Sequence, residues 1–236
     1  GAFPVTATPV RLSPVDSVSH SGILRIGNQG AVRLQLSGLV GLTQLSPDQY
    51  PGELSLTNGS TQVYVYRLPS ANYAYEIQAD QITPEVNVSQ IVVYHMSDSD
   101  RQISAAIELD IRDAPLREWK LGVPEDHAVV SVTGADVVDH VLSSQPENGT
   151  RALKVLFGSM ISGRRLLNLQ LEKNEAPAAG DWALPSLAYP DVNSVRGHIG
   201  VSATAGYRVS SGTTDKLSEL PLTQFPRQQE NLQQAY

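Results

Sequence analysis

The sequence predicts an all-β protein folded as an antiparallel sandwich, and three observations lead there. Apolar and polar side chains alternate with a period of two in one segment after another. Turn signals recur at spacings of about 10 to 15 residues, the rhythm of sandwiches and barrels rather than of βαβ units. No long stretch follows the 3.6-residue period of an amphipathic helix, so helices should be few and short.

The elements follow in order. Ala31 to Ser37 sets Val32, Leu34 and Leu36 on one face against Arg33 and Gln35. Thr61 to Leu68 opposes Val63 and Val65 to Tyr64 and Tyr66, and Tyr73 to Ala79 puts Tyr73, Tyr75 and Ile77 on a single face. Ile91 to Tyr94 is a short apolar run. Arg101 to Arg112 alternates most cleanly: Ile103, Ala105, Ile107, Leu109 and Ile111 face one way, with Ser104, Glu108, Asp110 and Arg112 opposite. That is the pattern of a strand buried on one face. Asp113-Ala114-Pro115 reads as a turn, because proline fixes φ and biases the residue before it towards extended backbone. A second strand, Arg117 to Val123, then alternates Arg117, Trp119, Leu121 and Val123 against Glu118, Lys120 and Gly122, with Trp119 as a core anchor. Further strands are expected at Ala128 to Val132, Val137 to Leu142, Ala152 to Phe157 and Leu166 to Leu171. They are separated by Gly134, by Pro146-Glu147-Asn148-Gly149 and by Ser162-Gly163. Asn148-Gly149 suits a two-residue hairpin, since both residues tolerate positive φ.

Two segments depart from the alternation. Lys173 to Val192 holds Pro177, Pro185 and Pro190 and reads as a long connection over the surface, pinned by Trp182, Leu184, Leu187 and Tyr189. Gly197 to Val209 reads as a final strand pair. The polar, Gln-rich stretch 213–236 reads as a linker, with a short amphipathic helix through Leu232 and Tyr236 as the alternative. Residues 1–212 would form one large sandwich or two β-subdomains divided near Ile82-Thr83-Pro84-Glu85.

Composition removes several functions. With no Cys among 236 residues there is no disulfide framework, thiol nucleophile or Cys-ligated metal. Against 24 acidic side chains stand 17 basic ones, a net charge of −7 that lacks the basic footprint nucleic acid requires. No apolar run approaches the roughly 18 residues of a membrane-spanning helix. The chain reads as a segment of something longer, inserted in no membrane.

Candidate chemistry is sparse. Asp136, Asp139 and His140 fall within five residues, and oxygen with imidazole suits Zn²⁺ or Mn²⁺. No metal-ligand spacing sharpens that reading, so a solvated strand face accounts for them, and Glu125-Asp126-His127, after Pro124, reads as a solvated loop. Asp98-Ser99-Asp100 lacks the Gly and closing Glu of a calcium loop and reads as a hairpin turn. There is no GxSxG, SxxK or phosphate-binding loop. No catalytic residue, metal or cofactor is assigned, and a glycosidase, which needs only two facing carboxylates, is a distant third reading. The aromatics offer more. Tyr64, Tyr66, Tyr73, Tyr75 and Tyr94 fall in strand segments and, with Trp182, form a candidate platform for a sugar ring or a protein partner.

The order from Val86 to Leu171 resembles that of β-sandwich segments in large envelope-associated proteins of planctomycete and verrucomicrobial type bacteria. It runs from Ile91-Val92-Val93-Tyr94 through Asp110-Ile111-Arg112-Asp113-Ala114-Pro115-Leu116 and Trp119-Lys120-Leu121-Gly122-Val123-Pro124 to Val130-Ser131-Val132-Thr133-Gly134-Ala135-Asp136-Val137. The resemblance implies a multidomain parent outside the cytoplasm and assigns no functional residue. The expected function is therefore a non-catalytic module of a surface or periplasmic protein, in contact with other domains of its own chain or another protein. The alternative is a carbohydrate-binding module that uses the tyrosine platform.

Overall fold

The computed structural model describes residues 4–9, 14–28, 31–51 and 62–236. They form strands and two short 3-10 turns, Pro47–Gln49 and Leu222–Gln224, so the chain is all-β and sandwich-like. It divides into two compact units at Thr83/Pro84.

The described residues of the first unit hold six strands: β1 (Val5–Ala7), β2 (Gly22–Gly27), β3 (Val32–Val40), β4 (Thr43–Leu45), β5 (Val63–Leu68) and β6 (Ala74–Gln81). They make two three-stranded sheets, ordered β1-β6-β3 and β2-β5-β4. Alternation decides which side chains meet between them: Ile26, Leu68, Tyr73 and Tyr75 are buried together, with Leu34, Leu36, Tyr64 and Ile77 packed against them. Of the expected strand Thr61 to Leu68, Thr61 lies outside the described residues.

The second unit is one seven-stranded sheet. Its strands are β7 (Glu85–Met96), β8 (Arg101–Pro124), β9 (Ala128–Gly134), β10 (Val137–Glu147), β11 (Thr150–Lys173), β12 (Ser194–Ala203) and β13 (Leu232–Ala235). The order is β10-β11-β8-β7-β12-β13, with β9 also paired to β11.

Here the breaks expected at Asp113-Ala114-Pro115 and at Ser162-Gly163 are not breaks. β8 and β11 each run for 24 residues through these positions. Between the pairs Ile111↔Gly163 and Leu116↔Ile161, β8 spends residues 112–115 where β11 spends only Ser162. Between Leu116↔Ile161 and Glu118↔Leu156 the excess reverses, with residues 157–160 of β11 against Arg117 alone. Asp113 (φ 65°) and Gly163 (φ 70°) supply the left-handed backbone that such bulges use. Turn residues are thus spent on bending a ladder rather than ending it, and the two-strand ribbon folds over onto itself. Ile103 to Ile111 from one arm and Trp119, Leu121, Leu153 and Val155 from the other share a single core. Pro115, which lacks an N–H to pair, sits where the ladder is already interrupted.

One pairing departs from the antiparallel rule. β12 lies parallel to β7, from Ser194↔Asn87 to Ala203↔Met96. β11 and β12 therefore run in the same direction, and a parallel return demands a long crossover rather than a hairpin. Residues 174–193 are that crossover. Leu184, Leu187, Tyr189 and Val192 of this strap pack on the core. The Tyr189 ring stacks on Trp119 with 5.9 Å between centroids, and Ala188 and Gly122 exchange backbone hydrogen bonds of 2.7 and 2.9 Å. By contrast, Tyr207 and Val209 belong to no strand, so the pair expected at Gly197 to Val209 is a single strand.

The stretch 213–236 is neither a linker nor a helix. It returns to the sheet as β13, antiparallel to β12. Phe225 is buried with Val93 and Ala235, over the space that Gly200 leaves by having no side chain. Polarity misled because an edge strand needs few apolar residues, and one Phe anchors this one.

Candidate functional site

The tyrosines of the sequence reading do not form a platform. Tyr66, Tyr73, Tyr75 and Tyr94 are 4–8% exposed, and Tyr64 is half-buried. In the first unit Tyr73, just before β6, and Tyr75 within it do stack, at 6.4 Å between ring centroids, but both are buried in the core. The Tyr64 hydroxyl donates to the Leu34 carbonyl at 3.1 Å. In the second unit Tyr94 points into the core, where burial pushes its phenol up to about 12 and its hydroxyl donates to the Pro185 carbonyl at 2.5 Å. Large, flat and half-apolar, tyrosine suits both a binding platform and a core. Alternation assigns these residues a face without saying which face is covered.

Trp182 alone of the six remains on the surface, at 38% exposure, and it stands at the rim of a cleft in the second unit. The cleft, of about 110 Å³, lies between the β7–β8 hairpin end, the loop that follows Pro124, and the strap. Met96, Ile103, Ala183 and Pro185 give it apolar surface, while Arg101, Gln102, Asp126 and His127 give it polar groups.

Local chemistry explains how each side chain is held. Ser97 makes the turn that brings β7 into β8: its hydroxyl accepts the N–H of Ser99 and of Asp100, so Asp98-Ser99-Asp100 is a hairpin turn. Arg101 opens β8 with its guanidinium 5.7 Å from the Trp182 ring centroid, a cation–π contact, and donates to the Ala176 carbonyl at 3.2 Å. His127, read from sequence as part of a solvated loop, is instead 3% exposed. Its Nδ1 lies 2.7 Å from Asp126 Oδ1, and the Lys173 ammonium donates to Asp126 Oδ2 at 2.8 Å. Lys173 also meets Glu175 at 2.7 Å, and Glu175 lies 3.7 Å from Arg101. Partial burial pulls the Asp126 carboxyl upward, but hydrogen bonds from Lys173 and His127 outweigh it and hold the group below the usual aspartate value. Hydrogen bonds to Asp126 and Glu175 hold Lys173 up, and Lys173 in turn holds Glu175 down. Two carboxylates and two cations thus tie the strap to β8, β11 and the loop.

The remaining sequence candidates separate. Asp136 pairs with Arg165 at 3.0 Å, and Asp139 accepts the His140 backbone N–H at 2.8 Å, so these residues brace the β9–β10 hairpin. No group of three or more potential metal ligands occurs among the described residues. A nucleophile–base pair with no counterpart among the sequence candidates is also present: Ser202 Oγ lies 2.9 Å from His95 Nδ1, across the parallel β7–β12 register. Ser202 is fully buried, and no carboxylate is hydrogen-bonded to His95 among the described residues, so the pair is placed to hold two strands together. Nothing in the chain signals it, because the two residues are 107 positions apart. For the cleft, Trp182 and the adjacent Asp126-His127 were the legible signs.

This fold and cleft define an all-β, sandwich-like protein whose polar clusters serve mainly to fasten strands and loops. No protein-family model matches the chain, and no curated protein matches it.

Proposed function

We propose that the chain is a non-catalytic β-sandwich module of a larger bacterial surface or periplasmic protein, working through contact with other domains of its parent or with another protein. One observation of the second unit carries this reading. Val130, Val138, Val141, Met160 and Leu166, on β9, β10 and β11, are each more than half exposed. Single exposed apolar residues are ordinary, whereas several on neighbouring strands are characteristic of contact surfaces. The ordered chemistry of the same unit is consumed internally, in the Asp126–Lys173–Glu175–Arg101 set and in the His95–Ser202 pair. The likeness of residues 86–171 to envelope-protein segments supports the compartment. No helix among the described residues is long and apolar enough to cross a membrane.

The test is site-specific photo-crosslinking in a host that carries the parent protein. A photoreactive amino acid at Val138 or Met160 is expected to give one discrete adduct, which peptide mapping assigns to another domain or an envelope protein. The same group at Lys120, on the exposed face of β8, is expected to give none. Equal, diffuse labelling from all three positions would refute the contact surface.

A further inference from the structure

We propose that the cleft beneath Trp182 is a subsite for one neutral sugar ring, the terminal unit of a glycan. The inference is independent of the contact surface on β9–β11 and replaces the tyrosine platform with a different site.

Four features point to that ligand class. Trp182 is the sole aromatic among the exposed large apolar side chains of the described residues. Its ring is positioned rather than loose, with Arg101 over it and the strap fixed on either side by Glu175 and by the Tyr94–Pro185 hydrogen bond. An aromatic face held rigid stacks on the C–H face of a pyranose at little cost in side-chain entropy. The second feature is His127. It is 97% buried by residue, lines the cleft, and has Nδ1 committed to Asp126. Nε2 makes no hydrogen bond among the described residues. In the neutral tautomer that donates Nδ1–H to Asp126, Nε2 is an acceptor, which takes a hydroxyl donor. Gln102 beside it offers both donor and acceptor.

Charge is the third feature. In the lining Arg101 and Asp126 offset each other, and each is paired in turn with a group outside it, Arg101 with Glu175 and Asp126 with Lys173, so neither a cation nor an anion gains from the local field. The absence of a three-ligand cluster among the described residues argues against a metal ion. A neutral molecule with one apolar face and several hydroxyls matches what remains. Finally, about 110 Å³ is well below the roughly 300 to 1,000 Å³ of a site for a drug-sized ligand, so one ring enters and a chain must extend outward.

The test uses the two tryptophans, since Trp119 is buried and Trp182 is not. The methyl glycosides of glucose, galactose, mannose and N-acetylglucosamine are titrated into the full chain, and the two indole N–H resonances are followed by NMR. At least one sugar is expected to shift the Trp182 resonance saturably and leave that of Trp119 in place. Trp182→Ala should weaken binding roughly tenfold or more, and Trp182→Phe should recover part of the loss. His127→Gln should weaken binding while leaving the Trp119 resonance dispersed, which shows that the core is intact. No saturable shift with any of the four sugars overturns the proposal. So does binding that survives Trp182→Ala, because the ring would then sit elsewhere.

Discussion

Phe225→Ala tests whether the C-terminal stretch belongs to the sheet. Phe225 is 8% exposed and packs on Val93 and Ala235, with Ile91, Leu220 and Leu232 around it. A Cβ built on Gly200 would stand 2.8 Å from the Phe225 ring, so the strand beneath is shaped to receive it. An aromatic side chain of this kind removes about 150 Å² or more from water, worth roughly 4 kcal/mol at about 25 cal/mol per Å². That lies within the usual cost of truncating a buried Phe. Because β13 spans only four residues, the loss should appear as local detachment rather than global unfolding. Hydrogen exchange resolves the two. Ile199 N–H donates to the Tyr236 carbonyl at 2.9 Å, Tyr236 N–H returns the bond at 2.8 Å, and Leu220 N–H donates to Ala235 at 2.8 Å. Protection at these three amides should fall by nearly three decades, since each 1.4 kcal/mol is a factor of ten. Protection at Ile107 and Leu167, in the β8–β11 ladder, should be unchanged. If Ile199 and Tyr236 exchange freely in the parent protein, or lose nothing in the variant, the stretch is not bound as described.

Three further perturbations probe the strap and its fastenings. Gly122→Val places a branched side chain where even a Cβ would sit 2.9 Å from that of Ala188. It should break the Gly122–Ala188 bridge, cost about 1 to 3 kcal/mol in thermal denaturation, and open residues 176–187 to limited proteolysis; unaltered cleavage would mean that the bridge does not hold the strap. Asp126 titrates below its ordinary value in the folded protein, so its contribution is present above about pH 4 and is lost as pH falls through the depressed value. Asp126→Asn should flatten the acid limb of the stability profile and, because the carboxylate is half exposed, cost no more than about 1 kcal/mol at neutral pH. An unchanged acid limb would count against the Lys173 and His127 bonds. Tyr94 works in the opposite sense: with its phenol raised to about 12, its contribution is fully present below about pH 10 and is lost as pH rises through 12. Tyr94→Phe should remove that alkaline loss and one late-ionising phenol from the ultraviolet titration, at about 1 kcal/mol for the bond to Pro185.

Alternation within a strand was readable because it is local. Ile103 to Ile111 face the core as their spacing demands, and Asn148-Gly149, at φ 51° and 76°, makes the two-residue hairpin its residue types favour. What could not be read was the fate of a turn signal inside a longer strand. Asp113-Ala114-Pro115 and Ser162-Gly163 carry the residue types of a turn, and the same left-handed backbone that ends one strand bends another when a neighbour holds the ladder on both sides. Only the pairing partner decides between them, and it lies about 50 residues away, as Ile111 does from Gly163. Side-chain duty was hidden for a similar reason. A tyrosine on an alternating face is core or platform according to whether a second layer covers it. A histidine in a polar triplet is solvated or buried according to what packs around it, and His127 shares its cleft with a strap whose path follows from the parallel β7–β12 pair. Long-range topology therefore determines the site as well as the fold. β11 and β12 run in the same direction, so a crossover is obligatory, and it brings Trp182 to Arg101 and Pro185 to Tyr94. In a chain whose alternating strands already supply the core, such a crossover is where aromatic, imidazole and carboxylate side chains meet without being designated by any motif.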